Sequence, residues 1–321
     1  MGPFKEKHPF RQFAEIDLSK TKVSREKPAI FVCGGIVDIT SPHTHSVREL
    51  FFESISPKGF EDFHDYCIQA ETFKDYFEAG KYQDLSLFEN DLAHYASLVI
   101  IFLESPGSIV ELGLFFNTQS LKEKLLVFVN QSHSLDDSFI RLGPLENLER
   151  DNNDCVQYYP WDVNNPAGMD SRVLDFIFTD ISAAIEKLPE NEKFSKENYG
   201  HLALLIYECV RIYRALRISE IRSLLGMHGI VLDEIRAKNL IYLLRISGLV
   251  EIYKMGKDVF YLPKSDEIVL RLASIRKGVA FETTGLSIAS TEYYSEVEGE
   301  QRRVLVIEEC EAQRGKQNVV N

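Results

Sequence analysis

The sequence predicts an α/β fold, a Rossmann-like parallel sheet with flanking helices, followed by a helical winged helix-turn-helix domain. Three observations predict it. Apolar runs at Ala29-Ile-Phe-Val-Cys33, Leu98-Val-Ile-Ile-Phe-Leu103 and Leu125-Leu-Val-Phe-Val129 alternate with segments of helical period. Runs without polar alternation are strands covered on both faces, as parallel strands between helices are. Beyond residue 198, three segments of helical period precede two alternating segments around a glycine, the element order of a winged helix-turn-helix.

The elements follow in order. Ala29 to Cys33 is the first strand and feeds a turn at Gly34-Gly35. Val47 to Ile55 and Phe60 to Phe77 have helical periodicity, with a turn at Pro57-Lys-Gly59 between them. Leu85 to Ala96 reads as a helix carrying Glu89, Asn90 and Asp91, and it leads into the strand at Leu98. A helix-like segment, Leu112 to Ser120, precedes the strand at Leu125. The region from Asn130 to Asn165 is looser and ends near Tyr158-Tyr-Pro-Trp161, a short strand; a helix from Val173 to Leu188 closes the domain. Pro189 to Asn198, polar and charged, is the linker. Tyr199 to Ala215, Ile218 to Leu225 and Val231 to Ser247 are the next helices, and Leu249 to Lys254 and Asp258 to Leu262 are strands around Met255-Gly-Lys257. The chain thus divides into an N-terminal extension (1–28), an α/β domain (29–189), a winged-helix domain (199–281) and a polar, peripheral tail (282–321), in which Arg303-Val-Leu-Val-Ile307 has the composition of a strand.

Bulk properties narrow the class. A chain of 321 residues suggests about two domains. No run approaches the ~18 apolar residues of a membrane span, and Met1 to Lys27 is too polar for a signal peptide, so a cytoplasmic protein without a membrane partner is expected. Cys33, Cys67, Cys155, Cys209 and Cys310 form no C-x-x-C pair, which argues for reduced thiols and against structural zinc. His43-Thr-His45 lacks a third ligand nearby, so no metal site is expected. The net charge is −13, yet Ser195 to Phe281 holds 14 Lys and Arg against 9 Asp and Glu. That part of the chain can face a polyanion which the remainder repels.

The segment Glu104-Ser-Pro-Gly-Ser-Ile-Val-Glu-Leu-Gly113 carries the functional signal. It places carboxylates at the carboxyl end of a buried strand, where open α/β sheets hold ligands. Ser108 with Glu111 is also the spacing of a capping box, the ordinary reading of such a pattern. Pro106-Gly107 imposes a tight turn that brings backbone N–H groups near a ligand, and Gly113 inside a helix costs roughly 1 kcal/mol against Ala, acceptable where a ligand or a neighbouring strand presses close. At the mouth of the sheet Glu111 is the candidate catalytic carboxylate. Aimed at an anomeric carbon, it can act as nucleophile or stabilise an oxocarbenium-like transition state. Such chemistry wants a second acid or amide for the ribose hydroxyls or the leaving base, and Glu89, Asn90 and Asp91 are nearest by topology. Glu104 positions substrate or accepts N–H groups of the turn that follows it. Cys33, Gly34, Gly35, Ser105, Gly107 and Ser108 complete the candidate lining, with Cys33 most simply read as a small core residue.

Four segments together resemble a known family: Ile30-Phe-Val-Cys-Gly-Gly35, Leu87-Phe-Glu-Asn-Asp91, Phe102 to Gly113 and Ser138-Phe-Ile-Arg-Leu-Gly-Pro144. In order and spacing they look like bacterial retron effectors with a nucleoside deoxyribosyltransferase-like N-glycosidase domain. The resemblance covers roughly residues 29–150. It implies an anti-phage toxin held silent by a retron reverse transcriptase and its RNA–DNA hybrid (msDNA) in an oligomeric assembly. It also implies hydrolysis of a glycosidic bond with NAD as the substrate and no cofactor, Glu111 as the catalytic carboxylate, Asp91 of an Asn90-Asp91 pair as its helper, and Gly34 and Gly35 beside the substrate. The deoxyribosyltransferases usually carry an Asp six residues before the catalytic Glu; here that place is Ser105 and the acid stands at Glu104, which puts transfer between nucleosides in doubt relative to hydrolysis. Two alternatives stay open: an N-glycosidase or transferase acting on deoxynucleosides or deoxynucleotides, and a non-catalytic nucleotide sensor with a DNA-binding tail. Arg211, Arg214 and Arg217, at three-residue spacing along one side of a helix, and Lys254 and Lys257 in the wing are the expected contacts to nucleic acid or the reverse transcriptase.

Overall fold

A computed structural model describes residues 8–320 apart from 39, 57–60, 71–81, 83, 136 and 278. In chain order its strands are β1 (Lys22–Val23), β2 (Ile30–Cys33), β3 (Cys67–Ile68), β4 (Leu98–Leu103), β5 (Leu125–Asn130), β6 (Val156–Tyr159), β7 (Glu192–Lys193), β8 (Val250–Met255), β9 (Asp258–Pro263) and β10 (Leu270–Arg271). Its α-helices are α1 (Val47–Ile55), α2 (Glu61–Tyr66), α3 (Leu85–Tyr95), α4 (Pro106–Phe116), α5 (Gln119–Lys122), α6 (Glu146–Asp151), α7 (Ser171–Glu186), α8 (Tyr199–Tyr213), α9 (Ile218–Gly226), α10 (Glu234–Ile246), α11 (Thr284–Glu296) and α12 (Gln301–Val320). The described residues fall into two units, one within 27–74 and 84–189, the other comprising 8–26, Tyr82 and 190–320. Among them no helix is long and apolar enough to cross a membrane.

The first unit is built on a five-stranded sheet of order β3-β2-β4-β5-β6 in which every neighbouring pair is parallel. All residues of β2 and β5 are buried, as the unbroken apolar runs require. Phe51 of α1 meets Phe102 of β4 at 5.7 Å, and Phe102 stacks on Phe128 of β5 at 5.2 Å. Ile177 and Ile181 of α7 belong to the same core. From β2 the chain goes outward to β3, then returns to β4 on the other flank of β2. The crevice between the carboxyl ends of β2 and β4 is therefore the topological switch point, the ligand position of open α/β sheets.

Three sequence expectations are corrected here. The helix expected from Phe60 to Phe77 ends at Tyr66 and gives way to the edge strand β3; the Pro57–Gly59 turn and residues 71–77 lie outside the described residues. The helix expected to begin at Leu112 begins at Pro106, because Ser105 caps it and proline is favoured in a first turn. The last strand ends at Tyr159, ahead of Pro160 and Trp161.

In the second unit, α8 is buried along almost its whole length, with α10, α11 and β9 packed around it. Strands β8 and β9 form an antiparallel hairpin, Val250 opposite Pro263 through Met255 opposite Asp258, turning at Gly256 with φ 61°. Neither the extension nor the tail is peripheral. Phe10 and Phe13, in a 3-10 helix at Pro9–Glu15, are fully buried against Tyr213, and β1 is the middle strand of a small sheet β10-β1-β7. Arg303 to Ile307 is helical. Arg303, Val306, Ile307 and Cys310 are all buried, and their spacing is one face of a helix rather than of a strand. The β propensity of Val304 to Ile307 yields to that packing.

Glu208 of α8 fastens this unit. Fully buried, it accepts the N–H groups of Val269 and Leu270 (3.0 and 3.2 Å) and pairs with Arg211 at 2.7 Å, so it anchors the segment leading into β10. Burial pushes its carboxyl pKa above 4.5, and Arg211 and the two N–H groups offset part of that rise. The folded chain then holds this proton more tightly than the unfolded one. The corresponding stability is fully present below pH 4.5 and is lost as pH rises through the raised value, at no more than about 1.4 kcal/mol per pH unit. Denaturant titrations should accordingly show the stability gap between wild type and Glu208→Gln narrowing from pH 4.5 upward. A gap that stays constant to neutral pH is the contrary result.

Candidate functional site

The switch point is organised by one carboxylate. Glu104, the residue after β4, accepts the N–H groups of Gly35 (3.0 Å), Val47 (2.7 Å) and Arg48 (3.0 Å). It thereby joins the loop after β2, the amino end of α1 and the end of β4. An anion at a helix amino terminus meets unpaired N–H groups and the positive end of the helix dipole. Here the chain supplies that anion itself, so the α1 terminus is not left open for a phosphate. Its donors here are the loop after β2 and the amino end of α1, not the turn that follows it.

The surrounding glycines answer to the same packing. A Cβ on Gly34 would stand 2.9 Å from the Arg48 Cβ, and one on Gly35 would stand 2.5 Å from the Ser46 Cβ. These glycines let α1 close on the β2 loop, a steric need that the sequence assigned to ribose or phosphate. Ser46 caps α1 by accepting the Glu49 N–H at 2.9 Å, and its hydroxyl donates to the Ile36 carbonyl at 2.7 Å. Glu49, buried, reaches back to the Asp38 N–H at 2.7 Å, to the His45 N–H and to its ring at 3.2 Å. Buried Arg48 donates to the Val32 carbonyl at 3.5 Å. Ser46, Arg48 and Glu49 were absent from the sequence-based candidates; the Ser-x-x-Glu spacing of Ser46 and Glu49 was the signal available.

On the β4 side, Ser105 is the N-cap of α4. Its hydroxyl donates to the Gly34 carbonyl (3.0 Å) and accepts the Ser108 N–H (3.1 Å), while the Ser108 hydroxyl accepts the Ser105 N–H at 3.0 Å. The reciprocal cap is thus Ser105 with Ser108, not Ser108 with Glu111. Ser108 is buried, and Gly107 is exposed with only ordinary contact waiting for a Cβ (Ser105 Oγ at 3.6 Å). Glu111 accordingly lies in the second turn of α4, half-buried. Gly113, in the same helix, is exposed and has nothing within 4 Å of a Cβ. Among the described residues no strand and no backbone outside its own helix presses on it.

Helix α3 packs against α4. Glu89 and Asn90 are half-buried on it, whereas Asp91 is fully buried, and His94 binds the Asn90 carbonyl at 2.9 Å. The structure therefore assembles Gly34, Gly35, Glu104, Ser105 and Ser108 at one crevice, with Cys33 buried as the last residue of β2. It sets Asp91 in the interior rather than on an open helix face. Among the described residues no group of three or more His, Cys, Asp or Glu side chains is placed to hold a metal ion.

The arginine set does not share a helix face. Helix α8 ends at Tyr213, and Arg214 adopts φ 62° and ψ −49°, a positive-φ conformation uncommon for a residue other than Gly, which turns the chain toward α9. Arg211 pairs with Glu208, Arg214 with Asp266 and Glu311 (both 3.2 Å), and Arg217 with Glu300 (3.4 Å) while lying over the Phe260 ring at 4.7 Å. These guanidinium groups hold the second unit together. Lys254 and Lys257, on and beside the hairpin turn, are exposed.

Comparison with known proteins adds to this geometry. The chain is 29% identical over 178 residues (53% of its length, 54% of the relative's) to the "Retron Ec86 putative ribosyltransferase/DNA-binding protein" of Escherichia coli. It is 30% identical over 122 residues, 37% of each chain, to the Escherichia coli protein of the same description from retron Ec73. The chain thus spans about half or less of the length of these relatives. A family model described as the STM3845 retron effector protein matches residues 44–252. That interval takes in α1, the whole of β4 and α4 and the start of the hairpin, and the chain belongs to the STM3845 retron effector family.

Proposed function

We propose that this retron effector cleaves the N-glycosidic bond of NAD, releasing nicotinamide and ADP-ribose, in an anti-phage response. The observation that carries the reading is the pairing of α4, with Glu111 in its second turn, and α3, with Asp91, beside a switch-point crevice fixed by Glu104. The names of the two retron relatives, which describe ribosyl transfer, support the class of bond. In the reaction the bond between C1′ of the ribose and the pyridinium nitrogen breaks, and the electron pair leaves with nicotinamide as a neutral base. A carboxylate facing C1′ stabilises the oxocarbenium-like state or bonds to it transiently, and water supplies the new C1′ oxygen and releases a proton. Glu111 takes this role. Because nicotinamide departs neutral, no acid need protonate it. A fully buried Asp91 then suits a positioning role, acting through its neighbours, better than direct attack. Substrates with neutral bases, such as deoxynucleosides, would require an acid to protonate the leaving base, which ranks them second.

The helices α8 to α10 with the β8–β9 hairpin are proposed as a winged helix-turn-helix that docks on the reverse transcriptase and its RNA–DNA hybrid. Exposed Lys254 and Lys257 at the hairpin tip support this, whereas Lys238 of α10 is already paired with Glu234 at 2.5 Å. Purified chain should be incubated with NAD and, separately, with deoxynucleosides, and the products resolved by chromatography, both alone and within the retron complex before and after nuclease treatment. Nicotinamide and ADP-ribose should appear, at rates that differ among the three states. Product from deoxynucleosides alone moves the activity to the second substrate class; no product from either substrate, in any state, removes the enzymatic reading.

A further inference from the structure

The small sheet β10-β1-β7 carries three cations in one row. Lys22 is the direct antiparallel partner of Arg271 on one side and of Lys193 on the other. Residues opposite one another in a ladder project from the same face, so the three side chains stand side by side, and all three residues are exposed. The other level of the ladder faces inward: Val23 and Leu270 are buried, and Glu192 pairs with His201 at 3.1 Å. Like charges directly opposite one another destabilise a sheet. None of the three makes an ion pair or side-chain hydrogen bond among the described residues, although nearby cations do: Lys20 pairs with Asp17 at 2.5 Å, and Arg276 with Glu15 at 3.0 Å. A repulsive row left uncompensated in a chain of net charge −13 is a local violation of the kind that marks a binding surface.

We propose that this row binds the phosphodiester backbone of a single-stranded nucleic acid. Strands lie about 4.8 Å apart, so the row spans roughly 10 Å, longer than the roughly 7 Å that three phosphates cover at the ~3.4 Å rise of a stacked strand, which suits a backbone drawn out beyond the stacked form. Beside Lys193 opens a cleft of about 590 Å³ whose wall includes Phe194, Lys196 and Ile275. The Lys196 ammonium at its rim donates to a carbonyl, that of His228 at 2.6 Å, and the Glu197 carboxylate accepts from the Ser195 hydroxyl at 2.7 Å. The cleft is of mixed lining, with Asp17, Lys196 and Glu197 beside apolar Leu18, Phe194 and Ile275, and next to a phosphate row it can take an unstacked base, which a duplex does not offer. The row shares no residue with the hairpin-tip lysines or with the glycosidic crevice, so its test is read apart from the proposed reaction.

The test is binding of the full chain to a fluorescent mixed-sequence single-stranded oligonucleotide, and to the matching duplex, across a salt series. Neutralising all three positions (K22Q, K193Q and R271Q together) should flatten the single-strand log–log salt slope by about 2, at ~0.7 for each phosphate that no longer meets a cation. Duplex binding should be unchanged, and Tm equal or higher because the repulsion is relieved. NAD turnover, read in parallel, should not change. A single-strand slope that stays the same, an equal loss on duplex, or a wild-type chain with no salt-dependent single-strand binding would each overturn the proposal.

Discussion

Glu111→Gln should reduce glycosidic cleavage by at least about 10²-fold while leaving the melting temperature of the protein within a few degrees of wild type. The amide preserves the size of the side chain and its second-turn position in α4. What it loses is the negative charge, which is the property that stabilises positive charge developing at C1′. Helix propensity hardly separates Glu from Gln, so the fold has little reason to respond. Residual activity separates two mechanisms. Removal of a covalent nucleophile should leave almost nothing, whereas removal of an electrostatic stabiliser commonly leaves activity reduced by about 10²- to 10³-fold rather than none. Turnover by the Gln variant at the wild-type rate would show that the acting carboxylate is another one. Asp91→Asn should behave differently: as a fully buried group it should lower both stability and activity.

The parallel sheet was legible because strands buried on both faces have no polar positions to blur them, and β2, β4 and β5 begin and end within a residue or two of their apolar runs. The edge strand β3 was not, since Cys67-Ile68 is two residues long and adjoins a helix. The tail was misread for a similar reason: Arg303 to Ile307 has strand composition, and its helix is set by tertiary packing, in which Arg303 meets Glu300 at 2.8 Å and the Ala215 carbonyl at 2.8 Å.

At the site, spacing picked out segments that the structure brings together at the switch point, while the contacts within the chain that join them were not legible. Gly34 and Gly35 were rightly placed at a close approach, yet what approaches is α1. Three arginines at i, i+3, i+6 suggested a helical stripe, which Arg214 breaks with a positive φ. The cationic row of Lys22, Lys193 and Arg271 could not be read from sequence at all, because pairing across 171 and 249 residues of separation creates it.

Glu104→Gln should destabilise the unit formed by 27–74 and 84–189 by about 2–3 kcal/mol, lowering its melting temperature by roughly 5–10 °C. The geometry explains why so conservative a change matters. One carboxylate oxygen accepts from both Gly35 and Arg48 and the other from Val47. An amide keeps one acceptor and presents an NH2 group where the second was, so at least one backbone N–H meets a donor. The charge that complements the α1 amino terminus goes as well. The figure sits near the value of a single charge-assisted hydrogen bond because Glu104 is half-buried and water can reach it. Glu123→Gln, at a surface residue accepting from Gln119 at 2.9 Å, is the control and should move stability by less than about 0.5 kcal/mol. The pair of readouts also distinguishes the two roles open to Glu104. A keystone loses stability first, and activity follows as the β2 loop loosens from α1. A ligand-binding carboxylate would lose activity at an unchanged melting temperature, and that outcome would restore Glu104 to the substrate and remove it from the architecture of the switch point.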